Sequence, residues 1–207
     1  MTDMAYESMW YKTQIPDEMI DILVKDLENR DESFEEARTK SGIDLEKRDS
    51  DVTWISQNHW IGGFLWHYIT RGNRENFCYD LTCIDGESIQ YTQYGEGQFY
   101  DWHIDAGIDT SYKPQLIASS GTNLSQDQVT LNGEYVRKLS FALQLSDAED
   151  YTGGEVQFLD NGRNTYFAPK QRGTLMLFDS RTPHRVRKVK SGMRKSLVGW
   201  VVGPRWR

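Results

Sequence analysis

The stretch QYTQYGEGQFYDWHID, residues 90–105, decides how the rest of the chain is read. Ile89, Tyr91 and Gln93 alternate as one face of a strand, which then meets a bend at Gly95 and Gly97. The chain restarts through Phe99 and Tyr100 and presents an imidazole and a carboxylate, His103 and Asp105, two residues apart. Positions i and i+2 of a strand project to the same face, so both side chains are expected to point at one centre. Neutral imidazole with a hard carboxylate suits a divalent metal such as iron. Two ligands do not make a site; a third is needed.

Composition bounds the possibilities. A chain of 207 residues can bury a substantial core as one domain. Aromatic residues make up 13% of it, including seven Trp and eleven Tyr, which argues against disorder. The mean hydropathy of −0.69 and the lack of a long apolar run exclude a transmembrane helix. The opening residues, MTDMAYESMWYKTQIPDE, lack the basic-then-apolar order of a signal peptide. Cys78 and Cys83, in an expected strand, read as reduced packing residues and not as a disulfide or metal pair. A cytoplasmic location is expected.

The net charge of −7 is unevenly spread. Residues 163–207 hold 12 Lys and Arg against one acid, Asp179. With 24 basic and 31 acidic residues in all, residues 1–162 hold 12 and 30, so the two portions carry +11 and −18. The basic portion reads either as a solvated outer strand face or as an electropositive region for an anionic ligand, and the sequence leaves both open.

Along the chain, residues 15–18 (IPDE) open a helix, since proline is tolerated in a first turn and early acids suit the dipole. Ile20, Leu23, Val24 and Leu27 continue it as a core-facing stripe. Residues 30–51 are charged and read as loop or poorly packed helix, and 52–55 as a short strand. An aromatic-rich second helix is expected over 58–69, ending at Gly72 and Asn73, with His59 and His67 as surface or packing histidines. From Phe77 the pattern turns to short strands: 77–84, 88–94, 137–146, 155–160, 173–179, 184–189 and 194–202. In 137–146, Leu139, Phe141, Leu143 and Leu145 share a face. Residues 151–154 (YTGG) read as a turn and 160–162 (DNG) as a hairpin. Residues 106–135 are long, polar and without periodicity, and read as a lid over a substrate. Short strands at close intervals point to a β barrel or sandwich behind helices, not a parallel sheet.

The third ligand is sought among the histidines. His184 alone, besides His103, falls among the strands. Beside His103 and Asp105 it would complete a two-His, one-carboxylate facial triad, the ligand set of non-haem iron(II) oxygenases. On this ground alone, a strand-edge packing histidine is the simpler reading. Arg194 follows ten residues later, after a turn at Ser191 and Gly192, so its strand is expected to pair beside that of His184. Arg194, Ser196, Val198 and Trp200 alternate onto one face, where guanidinium and hydroxyl would hold a carboxylate. The alternative turns Arg194 outward with Arg185, Arg187, Lys188 and Lys190.

The segments QYTQYGEGQFYDWHID, RKLSFALQLS, YTGGEVQF and HRVRKVKSGMRKSLVGWV, in this order and spacing, resemble the iron(II)- and 2-oxoglutarate-dependent dioxygenases, specifically the prolyl 4-hydroxylase-like (PKHD-type) group. The resemblance spans roughly 77–204. It implies a mostly β chain with N-terminal helices, a double-stranded β-helix (jelly roll), with helical support over 14–75 and a core over 77–204 in one domain over 1–207. It implies iron(II) on His103, Asp105 and His184, and 2-oxoglutarate with its distal carboxylate on Arg194, assisted by Tyr94 and Ser196. Dioxygen is then the co-substrate and ascorbate an auxiliary reductant. The reaction implied couples decarboxylation of 2-oxoglutarate to succinate with hydroxylation of a protein or peptide substrate, foremost at proline. Tyr100, Trp102 and Arg137 are expected to line the substrate. Collagen-type members carry Lys where this chain has Arg194, which places it nearer the bacterial and viral branch. Asp105 speaks against a halogenase, which vacates that position. An oxygenase of nucleic acid or a free small molecule, and a catalytically silent binding module, are the alternatives. Nucleic acid is disfavoured by the overall charge, no membrane partner is expected, and oligomeric state leaves no signal in the sequence.

Overall fold

The computed structural model describes residues 10–30, 34–36, 44–85, 89–106, 135–160 and 164–206. In chain order its elements are β1 (Trp10–Gln14), α1 (Asp17–Glu28), β2 (Glu35–Glu36), β3 (Arg48–Asp49), β4 (Asp51–Ile55), α2 (Trp60–Gly72), β5 (Cys83–Ile84), β6 (Ile89–Tyr94) and β7 (Phe99–His103). They continue with β8 (Tyr135–Gln144), β9 (Tyr151–Gly153), β10 (Val156–Leu159), β11 (Thr165–Phe167), β12 (Thr174–Asp179), β13 (His184–Val186), β14 (Val189–Gly192) and β15 (Arg194–Pro204). A single π-helical turn, Asn73–Phe77, follows α2.

The major sheet has eight strands in the order β1-β12-β8-β15-β6-β4-β2, with β5 also on β15. The minor sheet runs β11-β10-β13-β7-β3, and β14 pairs with β9. All these pairs are antiparallel. The arrangement is a double-stranded β-helix with α1 and α2 on the outer face of the major sheet, as expected.

Strand alternation sorts the core into two layers. Leu139, Phe141 and Leu143 of β8, Leu175 and Leu177 of β12, and Leu197 of β15 meet Ile20, Leu23 and Leu27 of α1 and Ile61, Leu65 and Ile69 of α2. Full burial of each such side chain contributes about 1.5–3 kcal/mol. The intervening residues, Ala142, Met176 and Phe178, turn between the sheets to meet Tyr94, Val156, Phe158 and Val186. That inner layer carries the polar residues described below.

The helices begin where expected. Asp17 and Glu18 occupy the first turn of α1, and His59 caps α2 by accepting from the Ile61 N–H at 3.4 Å. His67 is exposed on α2.

Several expectations are corrected. Residues 30–51 contain no helix among the described residues; they supply β2 and β3, which extend the two sheets at their edges. The expected strand over 77–84 shrinks to β5, because the π turn carries Phe77 and leaves Cys78 in a left-handed conformation at φ 53°. Both cysteines are free; burial and the nearby Asp85 push the Cys83 thiol up to about 11. Residues 184–189 are not one strand: at Arg187 the chain leaves the minor sheet, and Val189 starts β14. Ser191 and Gly192 belong to β14, and the YTG of the expected turn forms β9 opposite them. The strand of Arg194 pairs with β8 and β6 in the major sheet and not with β13. The proposed lid lies, apart from its end residues, outside the described residues, as does the centre of the hairpin at 160–162; its flanks, β10 and β11, do pair.

Candidate metal centre and anion pocket

Register brings the two histidines together: His184 of β13 is the direct cross-strand partner of His103 of β7. Their ring centroids are 4.2 Å apart. Each ring is oriented by a backbone carbonyl two residues earlier, His103 Nδ1 on Asp101 O at 2.8 Å and His184 Nδ1 on Thr182 O at 3.0 Å. A carbonyl only accepts, so each Nδ1 carries the proton and each Nε2 keeps its lone pair for a metal.

Asp105 reaches the same point by a route that strand geometry does not give. β7 ends at His103, and Asp105 sits in a bend fixed by its N–H and that of Ala106, both donated to Ser180 O at 2.9 and 3.0 Å. Its carboxylate then lies 3.7 Å from His103 Nε2 and 3.6 Å from His184 Nε2. One ligand atom from each of the three residues falls within 4.8 Å of the others, a spacing that can hold a metal ion. Two imidazole nitrogens and one carboxylate suit iron(II) and leave half an octahedron open.

The electrostatics favour the ligating states. Burial first, then the neighbouring His184 ring, pushes the His103 imidazole down to about 3, so it is neutral at physiological pH. Burial works against ionisation of Asp105, but the imidazoles of His184 and His103 and the Ser140 hydroxyl outweigh it, and the carboxyl is held below its ordinary range.

Packing fixes the ligands further. The Tyr100 ring is stacked on His103 at 3.5 Å and 14°, and the Arg48 guanidinium lies 4.7 Å over Tyr100. Arg48 is buried and donates to Ser50 Oγ at 3.0 Å and Gln90 Oε1 at 3.1 Å. Phe178 and Phe158 pack around His184.

Arg194 lies on the inner face of the major sheet, opposite Tyr94 of β6. It is 2% exposed, donates to Ser196 Oγ at 3.2 Å and lies 5.6 Å over the Tyr94 ring. The Tyr151 phenol lies beside it and accepts from Gln144 Nε2 at 2.8 Å. Among the described residues no carboxylate pairs with this guanidinium. Thr92, directly across from Ser196, has a buried hydroxyl without a partner among the described residues. A buried cation and an unpartnered hydroxyl on one face of the major sheet fit an incoming carboxylate.

The remaining basic residues face elsewhere. Arg185 lies over Trp102, Lys188 over Phe99 and Arg187 over Phe167, with Arg187 and Lys188 exposed. Arg187 and Lys188 thus lie on a solvated face, while Arg194 is buried. Arg137 pairs with Asp85 at 3.1 Å and lies 3.8 Å over Trp200.

Sequence reasoning missed Arg48, Ser140, Tyr151 and Thr92. For Ser140 a signal existed: Lys138, Ser140 and Gln144 are the polar residues on the face of β8 that alternates against Leu139, Phe141 and Leu143. Arg48 left none, because its partner Gln90 is 42 residues away.

A jelly roll carrying this triad is the architecture of an iron-dependent oxygenase. The chain belongs to the 2OG-Fe(II) oxygenase superfamily, whose family model matches residues 89–202. Iron(II), 2-oxoglutarate and dioxygen are the metal and co-substrates this family implies. A PKHD-type hydroxylase of Acaryochloris marina is 45% identical over 115 residues, 55% of this chain and 41% of that protein. A PKHD-type hydroxylase of Parvibaculum lavamentivorans is 41% identical over 63 residues, 30% of this chain and 28% of the relative. The chain thus spans less than half the length of these curated relatives. Its fold matches a prolyl-4-hydroxylase of Pseudomonas putida with a TM-score of 0.67 at 18% identity, over 95% of this chain and 93% of that one. It also matches a Trichoplax adhaerens prolyl hydroxylase solved with a hypoxia-inducible-factor peptide fragment, with a TM-score of 0.67 at 16% identity, over 94% of this chain and 84% of that one. No described helix is long and apolar enough to cross a membrane.

Proposed function

We propose that the protein is a 2-oxoglutarate- and iron(II)-dependent hydroxylase of peptidyl proline. His103, Asp105 and His184 hold the metal, and Arg194, with Ser196 and Tyr94, holds the distal carboxylate of 2-oxoglutarate. Tyr151 and Thr92 join that pocket. The observation that carries the reading is the pairing of two features in one barrel: a triad spaced for a metal, and a buried guanidinium without a carboxylate partner among the described residues.

When bound, iron supplies the activation of dioxygen that couples decarboxylation of 2-oxoglutarate to insertion of oxygen into a C–H bond. The chain's own residues do the rest. The carbonyls of Asp101 and Thr182 aim the two imidazoles, and the Arg48–Tyr100 stack fixes the plane of His103. Phe158 and Phe178 keep water from His184. Arg194 orients the co-substrate by two-point hydrogen bonding.

The choice of proline is supported by the PKHD-type names of the relatives and by the prolyl hydroxylases that share the fold. The domain is taken to span 1–207, and free cysteines suit a cytoplasmic location. Incubation with iron(II), 2-oxoglutarate and a panel of proline-containing peptides tests the function. Succinate release together with a peptide gaining one oxygen is expected. Succinate release with no peptide modified across the panel would remove proline while leaving the oxygenase chemistry.

A further inference from the structure

The outer face of the minor sheet carries a row of cations and aromatic rings that the site above does not use. His184 and Val186 of β13 point inward, to Phe178 and the inner core layer, so Arg185 between them points out. Beside Arg185 stands Gln157 of β10, and beside that Phe167 of β11. Arg185 Nε donates to Gln157 Oε1 at 2.8 Å, and its guanidinium lies 4.7 Å over Trp102 of β7. Two further cations repeat the pattern: Arg187 lies 5.7 Å over Phe167, and Lys188 5.3 Å over Phe99. The face is open, with Phe167 51% exposed and Arg187 and Lys188 exposed.

The positive charge here is poorly matched. Arg187 meets Glu155 at 3.8 Å, but among the described residues neither Arg185 nor Lys188 has a carboxylate in ion-pair reach. Asp101 is the one acid within β7, β10, β11 and β13. A guanidinium laid flat on a ring keeps its edge N–H groups for a carboxylate. Stacking of nucleic-acid bases would need the ring faces that these cations already cover. Trp102 and Arg185 directly precede and follow the metal-site residues His103 and His184, about 3.8 Å away along the chain. We infer that this outer face binds an acidic segment flanking the target residue of a protein or peptide substrate. The inference deepens the peptide-hydroxylase reading above and rests on it.

The test measures binding, without turnover, of labelled peptides to the whole chain with manganese(II) and 2-oxoglutarate present. The peptides carry a central proline flanked by glutamates or, as the neutral counterpart, by glutamines. The glutamate peptide is expected to bind about 10-fold tighter, the scale of a few exposed ion pairs, and to lose that advantage at high salt. Combined Arg185→Gln, Arg187→Gln and Lys188→Gln should remove the advantage while 2-oxoglutarate affinity stays at the wild-type value. If that variant melts early, Arg187→Gln with Lys188→Gln, both at exposed positions, should show a smaller loss of the same sign. Equal binding of the two peptides, no binding of either, or an advantage that survives in the variants overturns the inference. So does a single-stranded oligonucleotide that binds this face more tightly than the glutamate peptide. Failure of the wild-type protein to bind 2-oxoglutarate would instead sink the hydroxylase reading, and the peptide preference is read independently of it.

Discussion

His184 and His103 face each other across β13 and β7 as a direct cross-strand pair, with ring centroids 4.2 Å apart and each Nδ1 on a carbonyl two residues upstream. The two strands are separated in sequence by some eighty residues, yet they deliver the same ring in the same tautomer to one point. Asp105 completes the point from a bend, and the consequences can be measured.

Asp105→Ala removes the only charged member of the triad. The fold should survive, because the Asp105 backbone N–H still reaches Ser180 O. In the wild-type protein, manganese at a hundred times its dissociation constant should add about 2.7 kcal/mol of stability, seen as a raised melting temperature. The variant should gain little. An equal rise in both proteins would remove Asp105 from the metal site.

Asp179 closes β12 beside the Ser180 anchor. It accepts from Tyr79 Oη at 2.8 Å and from the Arg181 N–H and Nε at 2.8 Å each. Burial opposes its ionisation, but the Arg181 bonds and the Tyr79 hydroxyl outweigh that and hold the carboxyl low. A depressed folded value stabilises above the ordinary carboxylate range and is lost as pH falls through it. Asp179→Asn should therefore cost about 1.5 kcal/mol at pH 7, modest because Arg181 is partly solvated. The gap should close below about pH 4. Denaturant unfolding at several pH values measures it, and a gap independent of pH would contradict the assignment.

Gly153 sits at φ 74°, and a Cβ there would run into the carbonyl oxygen of Lys188. Gly153→Ala should cost about 1–2 kcal/mol from the backbone conformation alone and more from displacing β14. Since β14 leads into Arg194, 2-oxoglutarate binding should weaken alongside stability. Calorimetric titration of the metal-loaded variant checks the coupling.

The parts of this architecture legible in sequence are those set by short-range alternation. Leu139, Phe141, Leu143 and Leu145 name their own face, and the opposite face of β8 follows. His103 and Asp105 are legible because they stand two residues apart, although Asp105 lies past the end of β7 and is aimed by Ser180 and not by strand alternation. His184 was legible as a residue type, but its position opposite His103 depends on register between distant strands. The same limit misplaced the strand of Arg194, whose neighbours β8 and β6 begin far upstream. Tight turns inferred at Ser191 and Gly192 failed because the paired β9 supplies hydrogen bonds that make them strand. Arg48 comes from a charged stretch with no periodicity, and only tertiary contact with Tyr100 and Gln90 gives it a place.

The most direct test of the central claim, that Arg194 and the triad form one co-substrate site, is a titration of 2-oxoglutarate into manganese-loaded wild-type and Arg194→Ala proteins. Truncating one partner of a buried charge pair costs about 2–5 kcal/mol, or roughly thirty-fold to several-thousand-fold in affinity at 1.4 kcal/mol per decade. Manganese affinity should stay near the wild-type value, because Arg194 lies on β15 and the triad on β7, β13 and the bend after β7. A loss of 2-oxoglutarate binding of that size, with metal binding retained, is the expected result. Equal 2-oxoglutarate affinity in the two proteins would contradict it.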